Sequence, residues 1–297
     1  MSSKKILVIG ATGRQGGALV EALLASKTSN FDIYGLTRDA SSNSAKKLTA
    51  KKVTMIQGDA KIPEPIFKQV GSGVWGVFSV TSPGKDEEEQ AIPLIDASVT
   101  NGVQHFVFTS VDRGGPAKSE SDPTYVPHFI TKYNIEKHLK EKAATSPQKM
   151  AWTILRPVAF FDNLTPNFQG TSFSRIMKQM EPTRINMVST KDIGRVAAQA
   201  FLDPENNKFK AYTLAGETMD YAMMNKIFKE EVGRDMPMAP GTATTFFKFI
   251  VPDMGKMFQW FEEGNYSYDI GFAKEEHPDL QDFRTWLRTS SKFETKA

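Results

Sequence analysis

The sequence predicts an α/β fold: a doubly wound parallel sheet followed by a smaller α+β domain. Three observations lead there. Short apolar runs alternate with helix-length segments as far as residue 157, the pattern of strands joined by crossover helices. The first run, Ile6-Leu7-Val8-Ile9, is unbroken, as in a strand buried on both faces. Gly10, Gly13 and Gly16 then open a segment with Ala18, Leu19, Leu23 and Leu24 at helical spacing.

Strand, glycine turn and helix in that order form a dinucleotide site of the Rossmann type. The start of a helix presents unpaired N–H groups and a positive dipole end to a pyrophosphate, and glycine lets the backbone approach it. The spacing here is Gly-x-x-Gly-x-x-Gly, as in extended relatives of the short-chain dehydrogenases. Gly10, Thr12, Gly13, Arg14, Gln15 and Gly16 are the candidate phosphate-binding residues.

The second strand is expected at Phe31 to Thr37, with Arg38 directly after it. An acid at that strand end reads the ribose 2′-hydroxyl of NAD, whereas an arginine pairs with the 2′-phosphate of NADP through its planar fork. Arg38 precedes Asp39, and Arg14 stands in the glycine turn, so NADP(H) is favoured and NAD(H) remains open. Val53 to Gln57 is the third strand, after which Asp59 and Ala60 are placed beside the adenine; Asp59 has a helix cap as its alternative role. Val74 to Val80 is the fourth strand, and Ser79 and Thr81 mark its carboxyl end, where ligands bind in open parallel sheets. A helix follows over Glu87 to Val99, then a fifth strand over Phe106 to Thr109 that delivers Ser110 to the same edge. Gly114-Gly115-Pro116 breaks structure and Lys118 to Pro123 is read as a polar loop. An amphipathic helix spans His128 to Lys142, and the sixth strand, Trp152 to Leu155, closes at Arg156-Pro157.

The pattern changes from Val158, which sets the domains at 1–157 and 158–297, with a later segment near 186–202 packing back on the first. A loop is expected around Pro166, Gly170, Thr171 and Ser172. Short strands are expected at Asn186 to Ser189 and Tyr212 to Ala215, and helices at Asp192 to Leu202, Met223 to Val232 and a last one near Asp282 to Leu287. The aromatic run Phe246, Phe247, Phe249, Phe258, Trp260, Phe261 and Tyr266 reads as core, with a lid over a cavity as the alternative.

Composition narrows the function. The chain has 297 residues, is 40% hydrophobic and 24% charged, and carries a net charge of +3, too small an excess to point to nucleic acid. It has no cysteine, which rules out thiolate catalysis, disulfides and cysteine-bound zinc. None of its four histidines forms a His-Glu-x-x-His pair, so no metal site is expected. No signal peptide or membrane-length apolar stretch is read, so a cytoplasmic or nuclear setting is expected.

Short-chain dehydrogenases carry Tyr-x-x-x-Lys on the helix after strand five. That spacing puts both side chains on one face, where lysine holds the nicotinamide ribose and tyrosine donates a proton. Here Tyr133 and Lys137 match formally, but His128 and Lys132 have the same spacing in a second register. The two lysines are about 140° apart around the helix and cannot both face a cofactor. Lys132, nearer the helix start, is favoured. The catalytic candidates are therefore Lys132, His128 and Tyr133.

Gly-Ala-Thr-Gly-Arg-Gln-Gly-Gly, Val-Phe-Thr-Ser-Val-Asp, His-Phe-x-x-Lys-x-x-x-Glu and Leu-Arg-Pro-Val-x-Phe-Phe-x-Asn together resemble the NmrA-like family of atypical short-chain dehydrogenases. The likeness extends to Asp192-Ile193-Gly194 and Phe258-Gln259-Trp260-Phe261. It implies an NADP(H)- or NAD-binding domain, with Pro157 at its last strand end, and a small carboxyl-terminal domain over the cleft. It favours the Lys132 register, with His128 standing where the tyrosine would be. Some members of the family are redox-sensing transcriptional regulators, and others reduce quinones, dyes, activated alkenes or natural-product intermediates. The intact cofactor motif beside an incomplete catalytic pair leans toward an NADPH/NADP+ sensor with a protein partner. The alternative is a reductase of a small apolar or aromatic molecule. A homodimer is possible, and neither nucleic acid nor membrane is expected as a partner.

Overall fold

The structure is a computed structural model and describes residues 3–26, 30–240 and 252–296; Phe246, Phe247 and Phe249 lie outside them. The elements up to the sixth strand are β1 Lys4–Val8, α1 Arg14–Ala25, β2 Phe31–Thr37, α2 Asn43–Ala50, β3 Thr54–Gln57, α3 Pro63–Val70, β4 Val74–Val80, α4 Glu87–Thr100, β5 His105–Thr109, α5 Pro116–Ser121, α6 Pro127–Thr145 and β6 Ala151–Pro157. They are followed by β7 Ala159–Phe160, α7 Phe168–Gln179, β8 Ile185–Val188, α8 Thr190–Leu202, α9 Pro204–Asn207, β9 Lys210–Leu214, β10 Glu217–Met219 and α10 Tyr221–Val232. The last helices described are α11 Pro252–Glu262, α12 Gly271–Glu276 and α13 Phe283–Thr289.

The main sheet has the order β3-β2-β1-β4-β5-β6-β9. Its strands run parallel: Ile6 is level with Ile33 on one side and Gly76 on the other, and Phe106 with Trp152. The chain reverses its direction across the sheet between β1 and β4, the switch point at which ligands bind in such sheets. The seventh strand comes from a stretch that reads in sequence only as a late short strand. Phe209 N donates to Trp152 O and Val158 N to Leu214 O, which sets it parallel beside β6.

The chain divides into two compact units, each assembled from three stretches. The first holds Met1–Val111, Ile130–Arg156 and Ile193–Tyr212. Its core is the centre of the sheet, where Ile6, Leu7, Val8, Val77, Phe106 and Phe108 have no exposed surface, covered by Leu19, Leu94, Ile135 and Leu139 from the helices. Each such side chain contributes about 1.5–3 kcal/mol by leaving water.

The second unit holds Asp112–Phe129, Pro157–Asp192 and Thr213–Ala297. It contains a small sheet of order β10-β8-β7, parallel between β7 and β8 and antiparallel between β8 and β10. The buried Asp112 carboxylate gathers its chain: Gly114 N and Gly115 N each donate at 2.9 Å, and Thr213 Oγ1 and Tyr268 Oη at 2.7 Å. Burial beside that carboxylate raises the Tyr268 phenol far above its ordinary range. Phe129, Trp260, Phe261 and Tyr266 form one cluster, with Phe129 edge-on to Trp260 at 5.2 Å and Phe261 stacked on Tyr266 at 4.8 Å. All four are buried, so the described part of the aromatic run is core.

Two stretches read as loops are helical. Pro116 starts α5 at a position where no N–H is needed, after Gly115 at φ 96. Gly170, Thr171 and Ser172 lie in α7, where the Asn167 side chain accepts from Gly170 N. In both cases residues that punctuate loops serve as helix starts. No helix among the described residues is long and apolar enough to cross a membrane.

Candidate functional site

The glycine turn joins β1 to α1 within the first unit. Gly10 has φ +70, which glycine alone adopts without strain, and a Cβ there would lie 2.7 Å from Val80 Cγ1. A Cβ on Gly16 would lie 2.3 Å from Gly10 O, so this glycine lets the helix close on the strand end. These two are therefore required by the turn itself. Gly13 is different: it is exposed, it is the residue capping α1, and its missing Cβ meets only Gly10 O, at 3.2 Å. No side chain caps the helix, and no acid stands in its first turn. The start of α1 thus keeps features that suit a diphosphate: exposed Thr12, Gly13 and Arg14, no acid in its first turn, and the buried Gln15 Oε1 without a partner among the described residues.

At the end of β2, Arg38 is exposed and forms no ion pair with a described residue. The Asp39 carboxylate is turned back on its own loop, accepting from Ser41 N at 2.8 Å and Ser41 Oγ at 2.6 Å. The Ser41 hydrogen bonds hold this carboxyl below its usual range. The acid that would read a 2′-hydroxyl is thus engaged, and the guanidinium that would read a 2′-phosphate is available. After β3, Asp59 Oδ1 accepts from Lys61 N at 3.0 Å, a local turn before α3, and Ala60 is buried beside it. The residues present therefore fit a dinucleotide, by the open glycine cradle and by the exposed Arg38 at the end of β2.

At the carboxyl ends of β4 and β5 the favoured lysine is buried in a charged group whose acid, Glu87, no sequence motif singles out. Lys132 on α6 is 3% exposed. Its Nζ donates to Thr81 Oγ1 at 2.7 Å and to Thr109 O at 2.8 Å, stands 3.2 Å from Glu87 Oε1, and lies 4.9 Å over the Phe108 ring. Glu87, in the first turn of α4, has no exposed surface; its Oε1 also accepts from Thr81 Oγ1 and its Oε2 from Thr131 Oγ1, both at 2.6 Å. Burial pulls the Lys132 ammonium below its ordinary value, against the opposing pull of Glu87 and then Glu136. Lys137 is in the opposite situation, with two thirds of its side chain exposed and Glu141 at 3.9 Å. Tyr133 and His128 are half-buried, His128 against the Phe129 ring at 5.9 Å.

Three residues expected at the cofactor are enclosed within the protein. The Ser110 hydroxyl donates to Glu136, whose carboxylate also takes a fork from Arg156, Nη2 to Oε2 at 2.6 Å and Nε to Oε1 at 3.1 Å. Ser110 therefore serves a buried structural ion pair. Ser79 is wholly buried inside β4, and its hydroxyl has no partner. Pro157 is buried and its carbonyl accepts from Asp112 N. Among the described residues no group of three or more His, Asp or Glu side chains is placed to hold a metal.

Glu87 was missed because nothing local sets it apart: it opens the run Glu87-Glu88-Glu89, which reads as a solvated helix start.

Comparison with known proteins adds the context. The model of the NmrA-like family matches residues 2–287. An NAD(P)H azoreductase of Xenophilus azovorans is 28% identical over 212 residues, covering 71% of this chain and 68% of that one. The triphenylmethane reductase of Citrobacter sp., solved with NADP(H), superposes with a TM-score of 0.73 at 18% identity, over 96% of this chain and 99% of that one. NmrA, a negative transcriptional regulator solved with NADP, gives 0.71 at 17% identity, over 98% and 96%. A further structure of that regulator holds NAD. At such identities the structural likenesses speak to the fold.

Proposed function

This chain belongs to the NmrA-like family of NAD(P)-binding oxidoreductases, and from that premise we propose that it is an NADPH-dependent reductase of a small aromatic acceptor. The observation that carries the reading is the buried Lys132 ammonium at the ends of β4 and β5. Desolvating a charge costs several kcal/mol even when it is paired. A lysine kept there at that cost has a use where the nicotinamide ribose binds in such a sheet. When bound, NADPH supplies hydride.

The chain's own residues divide the remaining work. Backbone N–H groups at the start of α1, around Gly13, Arg14 and Gln15, hold the diphosphate. Arg38, with Arg14, holds the 2′-phosphate by charge-assisted hydrogen bonds. Asp59 and Ala60 border the adenine. Thr81 and Lys132 border the nicotinamide ribose, Lys132 by exchanging one of its present partners for a hydroxyl. Tyr133 and His128 are the candidate proton donors. The aromatic class of acceptor is supported by the relatives named for azo and triphenylmethane substrates.

A second reading, an NADPH/NADP+ sensor, is supported by a histidine in the tyrosine's place and by the likeness to a regulator. Calorimetry with NADPH, NADP+ and NADH comes first, followed by NADPH oxidation against azo dyes, triphenylmethane dyes, quinones, ketones and enones. Turnover that is lost in Lys132→Met supports the reductase. Tight NADPH binding with silence across the panel transfers the assignment to the sensor, which further requires different affinities for the two cofactor forms. No binding of any dinucleotide overturns both.

A further inference from the structure

We propose that Glu87 is the positioning residue for Lys132: its carboxylate, reaching from the first turn of α4, keeps the ammonium charged and turned toward the ends of β4 and β5. This rests on the reading of Lys132 as the lysine of the dinucleotide site, and it assigns a role to a residue that no sequence motif marks.

An ammonium has three N–H donors. Those of Lys132 meet Thr81 Oγ1, Thr109 O and Glu87 Oε1. Thr81 and Thr109 hold the nitrogen in place but are neutral, as is the Phe108 ring. The charged groups that face Lys132 are Glu87 from α4 and, more distantly, Glu136 from its own helix. Glu136 is already matched by the forked pair with Arg156 from β6. Glu87 alone is therefore left to balance the charge. Its own place is well suited: a carboxylate in the first turn of a helix is favoured by the dipole, and Thr81 and Thr131 hydrogen-bond both of its oxygens. The Glu87 contact, at 3.2 Å, is also the longest of the three. A ribose hydroxyl that replaced it would keep the carboxylate nearby through Thr81 and leave the ammonium charged.

Glu87→Gln removes the charge and keeps the shape, since an amide can still accept from Thr81 and donate to Thr131. The Cε chemical shift of Lys132, followed against pH in protein labelled at lysine and assigned by its loss in Lys132→Met, reports the charge directly. The titration midpoint is expected to fall by about two pH units or more in Glu87→Gln, within the range known for buried lysines, and to recover most of the way in Glu87→Asp. Calorimetry with NADPH in two buffers of different ionisation heat is expected to show proton uptake on binding for Glu87→Gln and little for wild type. An unchanged midpoint in Glu87→Gln overturns the proposal, whatever the binding data. If wild type binds no NADPH, the functional reading fails while the titration still decides the role of Glu87. Should Glu87→Gln not fold, the double variant Glu87→Gln/Lys132→Met is the test. A double variant that regains stability supports the pairing, and one no more stable than the single variant overturns it.

Discussion

His105 gives the most direct test of the physical picture of the first unit. It lies on β5 with 1% of its surface exposed. Its Nε2 shares a hydrogen bond with Thr153 Oγ1 at 2.8 Å, its Nδ1 has no partner, and Trp75 and Phe201 meet its ring edge-on at 6.2 and 5.7 Å. Burial, and to a smaller extent the Lys4 charge, push its titration down from 6.5 to about 4. The imidazole is thus neutral in the folded protein and protonates more readily when the chain unfolds. Relative to neutral pH, stability is lost as pH falls through 6.5, and the loss is complete below about 4. That interval is worth about 3 kcal/mol in full and about 2 kcal/mol by pH 5. Urea unfolding of wild type and His105→Gln, at neutral pH and near pH 4.5, isolates the contribution, because the other titrating groups are common to both proteins. The stability advantage of wild type over the variant is expected to shrink or reverse on acidification by about 2–3 kcal/mol. A difference that is the same at both pH values would refute the argument that this ring is held neutral.

Three further outcomes are expected. Gly16→Ala places a methyl 2.3 Å from Gly10 O, so the turn must open at a cost of about 1–3 kcal/mol; thermal melting and NADPH calorimetry should show both lower stability and weaker binding. Arg38→Ser is expected to weaken NADPH binding by about 10–100-fold, the worth of a charge-assisted pair, with NADH affinity unchanged; equal loss for both dinucleotides would remove Arg38 from the 2′-phosphate. Glu136→Gln leaves the buried Arg156 without its counter-charge and is expected to cost about 3–5 kcal/mol in chemical denaturation, a result that near-wild-type stability would contradict.

Local pattern carried much of this fold. The runs Phe31–Thr37 and Val74–Val80 are strands end to end, and the glycine turn is where the alternation of run and helix puts it. What stayed hidden depended on distant partners. Helix α6 buries Phe129, Lys132, Ile135, Glu136, Leu139 and Ala143, so two charges occupy its inward stripe and hydropathy could not choose between the lysines. Glu87 is distinguished from Glu88 and Glu89 by its partners Thr81, Thr131 and Lys132, all distant in sequence or on another element. Asp39 lies where an NAD-reading acid would, and its diversion to Ser41 is visible only in the loop's hydrogen bonds. Pro116 begins a helix of small and polar residues, and Asn167 caps one whose opening residues include Gly170, Thr171 and Ser172, so neither start is announced by an apolar stripe.

The Asp112 carboxylate has a consequence for how the chain is made. Tyr268, which donates to it, is synthesised 156 residues later, and Thr213 is 101 residues later. On the ribosome the whole of the central sheet as far as β6 emerges before either hydroxyl exists, so for that interval the acid has only the neighbours of its own loop. The early half can mature in sequence order, whereas the other must wait for its closing stitches. Truncation near the carboxyl terminus should therefore expose a segment lying just past the fifth strand, in the first half of the polypeptide, to protease.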